Sequence, residues 1–192
     1  MSASSYGIIV EGAYDSAVYT AIIQRLSPEA LVVSRECQGK ANLMKKFPGY
    51  LKMFEHELAG EAVDMAIVIR DADLRNPEQI ETEMSARIDG RQYPFPMGVK
   101  FFVVPQAVEA WLLADVNALN SVSMSRSGKH VTRSLDNPEG LHDPKASLHQ
   151  LLTDHRLSYT AALAREIAQE INLEALSQAC PRFRIFSERV DC

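Results

Sequence analysis

The stretch MAIVIRDAD, residues 65–73, decides the fold. Met65–Ile69 is apolar throughout, the pattern of a strand covered on both faces at the centre of a parallel sheet. It runs directly into Arg70-Asp71-Ala72-Asp73, so the strand ends on two acids. Upstream, Tyr6–Val10 is a second short apolar run, ending at Glu11-Gly12. Asp15–Leu26 then carries Val18, Ile22, Ile23 and Leu26 at helical spacing until Ser27-Pro28 stops it. Leu31–Ser34 is a strand, closed by Gln38-Gly39-Lys40. Asn42–Leu58 is helical, with Pro48 predicting a kink or break.

Downstream, Pro77–Ile88 reads as a helix with proline in its first turn. Val99–Val104 is the fourth strand. Ala107–Ala114 is a helix bearing the single tryptophan, Trp111. The polar stretch Ser121–Asp143, with Gly128, Pro138 and Gly140, reads as a long loop. Lys145–Leu152, Thr160–Ile171, Leu173–Ala179 and a segment after Pro181 read as short helices. Strands alternating with helices predict an α/β fold: a Rossmann-like, mainly parallel four-stranded sheet flanked by helices, with a C-terminal helical extension. The expected organisation is an α/β domain over residues 1–120, with 121–192 packed on it as a loop and helical extension in one compact unit.

Bulk properties bound the function. The chain has 192 residues and a formal net charge of −5, which argues against a protein that coats nucleic acid over its whole surface. A local basic groove is compatible with that charge, because fields are screened over short distances. Cys37, Cys180 and Cys192 form no disulfide framework or zinc knuckle and are read as free thiols of a reducing cytoplasm. The N-terminal MSASSYGIIVEG has neither a basic nor a long apolar region, so no signal peptide is expected, and no apolar run is long enough for a membrane span.

In an open parallel sheet, ligands bind outside the carboxyl ends of the strands. Glu11 ends the first strand, Asp71 and Asp73 end the third, and Glu109 follows the fourth. Asp71 and Asp73 are two apart, so in extended backbone they point to one side. Carboxylates gathered at one edge repel one another unless a cation neutralises them. Oxygen donors with no His or Cys among them favour Mg²⁺ or Mn²⁺ over zinc. Each residue alone has a plain structural reading: Glu11 a solvated turn, Asp-x-Asp a cap, Glu109 a favourable charge at a helix start. Their order on alternate strands lifts the functional reading above these.

The pair VEGAYD (Val10–Asp15) and VIRDAD (Val68–Asp73) resembles the signature of Toprim domains: a glutamate after the first strand and Asp-x-Asp after the third. Such domains occur in topoisomerases, bacterial primases, overcoming-lysogenization-defect nucleases and small recombination proteins. The resemblance implies Glu11 as general acid/base and Asp71 and Asp73 as Mg²⁺ ligands, with Asp15 matching an additional acid of the nuclease branch. PQAVEAWLLAD (Pro105–Asp115), HDPKASLHQLL (His142–Leu152) and CPRFRIF (Cys180–Phe186) further resemble family 4276 of domains of unknown function, a bacterial Toprim-like group.

Further residues fill out the expectation. Asp15 and Glu109 complete a second metal position. Lys40, at the end of the second strand, is a candidate phosphate contact. Val116–Leu135 has no acid but carries Arg126, Lys129, His130 and Arg133, a basic segment suited to guiding a phosphodiester backbone; an ordinary surface loop fits it equally well. Arg182 and Arg184 are read as fixing the tail, His142 and Lys145 as helix-start residues, and Asp115 as a helix end or turn. The leading expectation is Mg²⁺- or Mn²⁺-dependent phosphodiester cleavage or phosphoryl transfer on nucleic acid. The main rival is a non-catalytic Toprim-like interaction subunit serving a separate ATPase in a process such as phage defence or DNA repair. The chain has no G-x-x-x-x-G-K-S/T loop, so ATP-driven work would come from a partner. A third reading is a metal-binding domain for a small phosphorylated substrate. No tyrosine is placed by motif as a strand-passing nucleophile, and the chain is short for a topoisomerase or primase.

Overall fold

The computed structural model describes residues 4–73, 75–131, 135 and 137–190. Four strands, β1 (Ser5–Val10), β2 (Leu31–Glu36), β3 (Met65–Asp71) and β4 (Val99–Val104), form one sheet in the order β2-β1-β3-β4. All the pairings are parallel, so the expectation of a mainly parallel sheet holds in its strictest form. β3 is central and buried from Met65 to Arg70, as its apolar run demands.

Side-chain alternation splits the core into two layers. Tyr6, Ile8, Val10, Met65, Ile67, Ile69, Phe102 and Val104 face α1 (Ala13–Leu26) and the later helices α4 (Glu109–Ala114), α5 (Val116–Ser127), α6 (Pro144–Asp154), α7 (Ala161–Glu170), α8 (Leu173–Ala179) and α9 (Pro181–Val190). Ile9, Ala66, Val68 and Val103 face α2 (Lys40–Phe54) and α3 (Pro77–Ala86). The first layer is one apolar cluster that runs from Tyr6 to Val190. Among the described residues, no helix is long and apolar enough to cross a membrane.

Three local features differ from expectation or explain the packing. Pro48 lies inside α2 without breaking it: Leu43, Phe47, Leu51 and Phe54 stay buried along one stripe, and that burial outweighs one missing backbone hydrogen bond. Gly7 lets this helix sit close to the sheet, because a Cβ there would come within 2.5 Å of the Phe54 ring. The expected loop from Ser121 begins instead as helix. Asp115 caps α5 by accepting from the Asn117 and Ala118 N–H groups at 2.9 and 3.1 Å, and Ala118, Leu119, Val122 and Ser123 are buried. Gly128, with φ +67°, ends that helix.

α9 closes the free edge of β4. Arg182 donates to the Val103 carbonyl through Nε (3.1 Å) and Nη2 (2.7 Å), and Arg189 donates to the Phe101 carbonyl. Both guanidinium groups also pair with Glu81, at 2.7 and 3.0 Å. Edge carbonyls that would otherwise invite another strand are thereby satisfied. This agrees with the expected tail-fixing role of Arg182.

Candidate functional site

The direction of sheet growth reverses between β1 and β3: β2 lies outside one, β4 outside the other. The crevice at the carboxyl ends of these two strands is where an open α/β sheet offers a ligand site. The turn after β2 supports it from one side. Cys37 N–H bonds the Val10 carbonyl at 3.0 Å, and Gly39 N–H bonds the Glu11 carbonyl at 2.9 Å. Gly39 has φ +102°, a conformation that favours glycine.

Four acids meet in the crevice. Glu11 follows β1, and its Oε1 accepts from the Asp71 N–H at 3.2 Å. Asp15 sits in the first turn of α1, where its Oδ2 accepts from the Gly12 N–H at 3.0 Å. Asp71 is the last residue of β3. Glu109 opens α4, is only 3 % exposed, and accepts from the Tyr159 hydroxyl at 3.0 Å. These four carboxylates and Lys145 line one cavity of about 380 Å³. A second cavity, of about 400 Å³, shares Asp71, Ala107 and Lys145 with the first and adds Asp73, Gln106 and His142.

The electrostatics follow from this crowding. Burial, then the charges of Asp15, Glu11, Glu109 and Asp73, push Asp71 well above the usual carboxylate range. Burial, then Glu109 and Glu11, push Asp15 up to about 7. Burial raises Glu11, partly offset by its hydrogen bond from Asp71 N–H. Lys145 beside Asp15, and Arg70 and Lys40 near Glu11, only partly offset this, so both acids are raised on balance. Among the described residues, no three His, Cys, Asp or Glu side chains are drawn closely enough to hold a metal ion as they stand. The donor chemistry nevertheless suits a hard cation: the carboxylate oxygens come from the end of β1, from α1, from β3 and from α4, and they line one cavity.

Asp73 departs from the expected geometry. The strand stops at Asp71, and Asp73 adopts φ +49°, so the extended-backbone argument for a shared direction fails. Its exposed carboxylate accepts instead from Lys40 Nζ at 2.6 Å. Asp73 lines the second cavity and not the first. Lys40, read as a phosphate contact, therefore pairs with one of the expected metal ligands. Arg126, at the end of α5, donates through Nε to Glu166 at 2.8 Å, and neither it nor Lys129 lines either acidic cavity. Arg133 and Cys192 lie outside the described residues; Cys37 and Cys180 are free thiols.

Residues not singled out as functional also reach the crevice. Asp143 and Pro144 do start α6, with Asp143 Oδ1 accepting from the Ala146 N–H at 2.8 Å. The next residue, Lys145, brings an ammonium to both acidic cavities, 5.2 Å from the Tyr14 ring centroid. Tyr14 stacks on Tyr159 with centroids 4.7 Å apart. The signal for Lys145 was present as a cation directly after a helix start, but only the packing of α6 against α4 shows where it lies. Asp115 is a cap at both ends of its reach, for α5 and for the Asn172 N–H at 2.8 Å.

No curated protein and no solved structure matches the chain. A family model does, over residues 10–191, and that span takes in every strand end and every acid of the crevice. By that match, the chain belongs to the family described as domain of unknown function DUF4276.

Proposed function

We propose that this chain is a Toprim-like, Mg²⁺- or Mn²⁺-dependent enzyme that cleaves a nucleic-acid phosphodiester or transfers a phosphoryl group. The observation that carries the reading is the convergence of Glu11, Asp15, Asp71 and Glu109 on one cavity at the switch point of the sheet. The resemblance of Val10–Asp15 and Val68–Asp73 to the Toprim signature supports the same assignment. Asp71, Glu11, Asp15 and Glu109 would hold the cation, and Asp73 would join from the adjoining cavity once released from Lys40. A divalent cation bound there supplies Lewis acidity and lowers the pKa of a bound water.

The chain's own groups supply the rest. Glu11 keeps Oε1 on the Asp71 N–H, which fixes its carboxylate while Oε2 is left to exchange a proton with the reacting group. Its raised pKa brings it nearer to neutral, where a proton-transfer group works best. Lys145, on the wall shared by both cavities, offers a point charge to a phosphate oxygen and offsets the local negative field. Tyr14 and Tyr159 line a third cavity beside Lys145, a surface suited to an unstacked base.

The experiment is a cleavage assay with Mg²⁺ and Mn²⁺ on plasmid, linear duplex, single-stranded DNA and RNA. The parent cuts at least one substrate, the Asp71→Ala/Asp73→Ala variant cuts none, and Lys145→Ala is slowed by about tenfold or more. A parent inert on all four, or a double variant as active as the parent, contradicts the enzyme reading and favours an interaction subunit working with a separate ATPase.

A further inference from the structure

Beside the acidic crevice lies a cavity of about 580 Å³ whose walls include Tyr14, Lys145, His149 and Tyr159. Tyr14 and Lys145 line the acidic cavity too, so the two spaces meet along these side chains. Tyr14 lies in the first turn of α1, one residue before Asp15. Its ring stacks on Tyr159 with centroids 4.7 Å apart and planes 28° apart, and its hydroxyl donates to the Tyr159 carbonyl at 3.4 Å. Tyr159 is only 9 % exposed and donates to Glu109 at 3.0 Å, which ties the ring pair to the acids. Lys145 and His149 are four apart on α6, so they share one helix face, and both are exposed. The Lys145 ammonium stands 5.2 Å from the Tyr14 ring centroid and, among the described residues, makes no ion pair or hydrogen bond.

A cation over an exposed ring is held weakly, whereas an ammonium on a phosphate gains a charge-assisted hydrogen bond. A phosphate at the mouth of the crevice therefore draws Lys145 off Tyr14, and the uncovered ring face is open to a base. Stacking of this kind is tolerant of sequence, because every base has a π-face. A base inside a duplex is already stacked and paired, so it reaches a lone tyrosine ring only by leaving the helix. The cavity is also of the size that small-ligand sites have. Resting on the nucleic-acid reading given under Proposed function, we propose that this cavity is a subsite for an unpaired nucleobase, with Tyr14 as its stacking ring. The strand that enters the crevice is then single-stranded at that point. Lys145 holds the adjoining phosphate, and His149, one turn along α6, lines the same cavity as the base.

The test is fluorescence anisotropy of labelled oligonucleotides on the full chain carrying Glu11→Gln, which keeps the strands uncut, in several millimolar Mg²⁺. A DNA and an RNA single strand are each compared with their duplex and with an abasic strand of equal length. At least one intact single strand binds about tenfold more tightly than its duplex and its abasic counterpart, the scale of one base stacked on an aromatic ring. Adding Tyr14→Leu removes that preference, and adding Tyr14→Phe keeps it, with melting curves in a chelator showing which variants fold. The intact-against-abasic comparison uses the unsubstituted ring, so it decides the matter even where Tyr14→Leu does not fold. Equal binding of intact and abasic strands, or a preference that survives in a folded Tyr14→Leu chain, overturns the subsite and leaves the acidic site standing. Duplex bound as tightly as single strand overturns it too. A chain that binds none of these strands removes the subsite together with nucleic acid as the substrate.

Discussion

The backbone N–H of Asp71 donates to Glu11 Oε1 at 3.2 Å, tying the end of β3 to the end of β1 across the switch point of the sheet. One carboxylate is thus aimed by the backbone of the residue that supplies the next. Asp71 ends β3 and Glu11 is the first residue after β1, so the link sits directly beyond the paired stretch that ends at Ile9 and Val68.

Glu11→Gln separates charge from geometry at this link. The amide oxygen can still accept from the Asp71 N–H, so the melting temperature in a chelator stays within a few degrees of the parent. Cation-dependent cleavage falls by 100-fold or more, the scale of losing a positioned acid–base group. A Glu11→Gln variant cleaving at the parental rate contradicts the assignment of Glu11.

Asp15 predicts a pH signature in the metal-free protein. Its pKa is about 7 in the folded chain, against an ordinary value of 3.8, so the folded state holds this proton more tightly than the unfolded state does. Stability linked to Asp15 is therefore present below about pH 4 and is lost as pH rises through 7. Asp15→Asn retains an acceptor for the Gly12 N–H and should be more stable than the parent at pH 8 by about 4 kcal/mol at most. That advantage should vanish near pH 4, as read by denaturant melts in a chelator at both pH values. An advantage independent of pH would show that repulsion among the acids is not its source.

Gly7 tests the packing that carries the crevice. Gly7→Ala places a Cβ 2.5 Å from the Phe54 ring, inside any tolerable contact. Overpacking of this kind costs about 1–3 kcal/mol, or roughly 2–4 °C of melting temperature per kcal/mol for a chain of this size. Adding Phe54→Leu should recover part of the loss, because the ring is the obstacle. A Gly7→Ala variant that melts with the parent would show that α2 yields freely.

β1 and β3 were legible because each has one environment: Met65–Ile69, for example, is apolar throughout and is buried throughout. Glu11, Asp71 and Glu109 were legible as sheet-edge acids because strand order alone places them there. The direction of Asp73 was not, since a left-handed turn after Asp71 cancels the period of two on which it relied. α5 was hidden by Ser121, Ser123, Ser125 and Ser127, which dilute the apolar period, while its cap and its burial against the core come from tertiary contacts. Lys145 reads locally as a helix-start cation, and only the fold brings it to the acids.

On the proposed function, the acidic crevice is a divalent-cation site with Asp71 and Asp73 among its ligands. Melting curves of the parent and of Asp71→Asn/Asp73→Asn, in a chelator and with several millimolar Mg²⁺ or Mn²⁺, test it most directly. A cation that binds only the folded chain adds about 2.7 kcal/mol at 100 times its dissociation constant. For the parent that is a rise of about 5–10 °C, at roughly 2–4 °C per kcal/mol. The variant should be at least as stable as the parent in chelator, since two like charges are gone, and should not respond to either ion. Identical responses of parent and variant to both ions would contradict the claim.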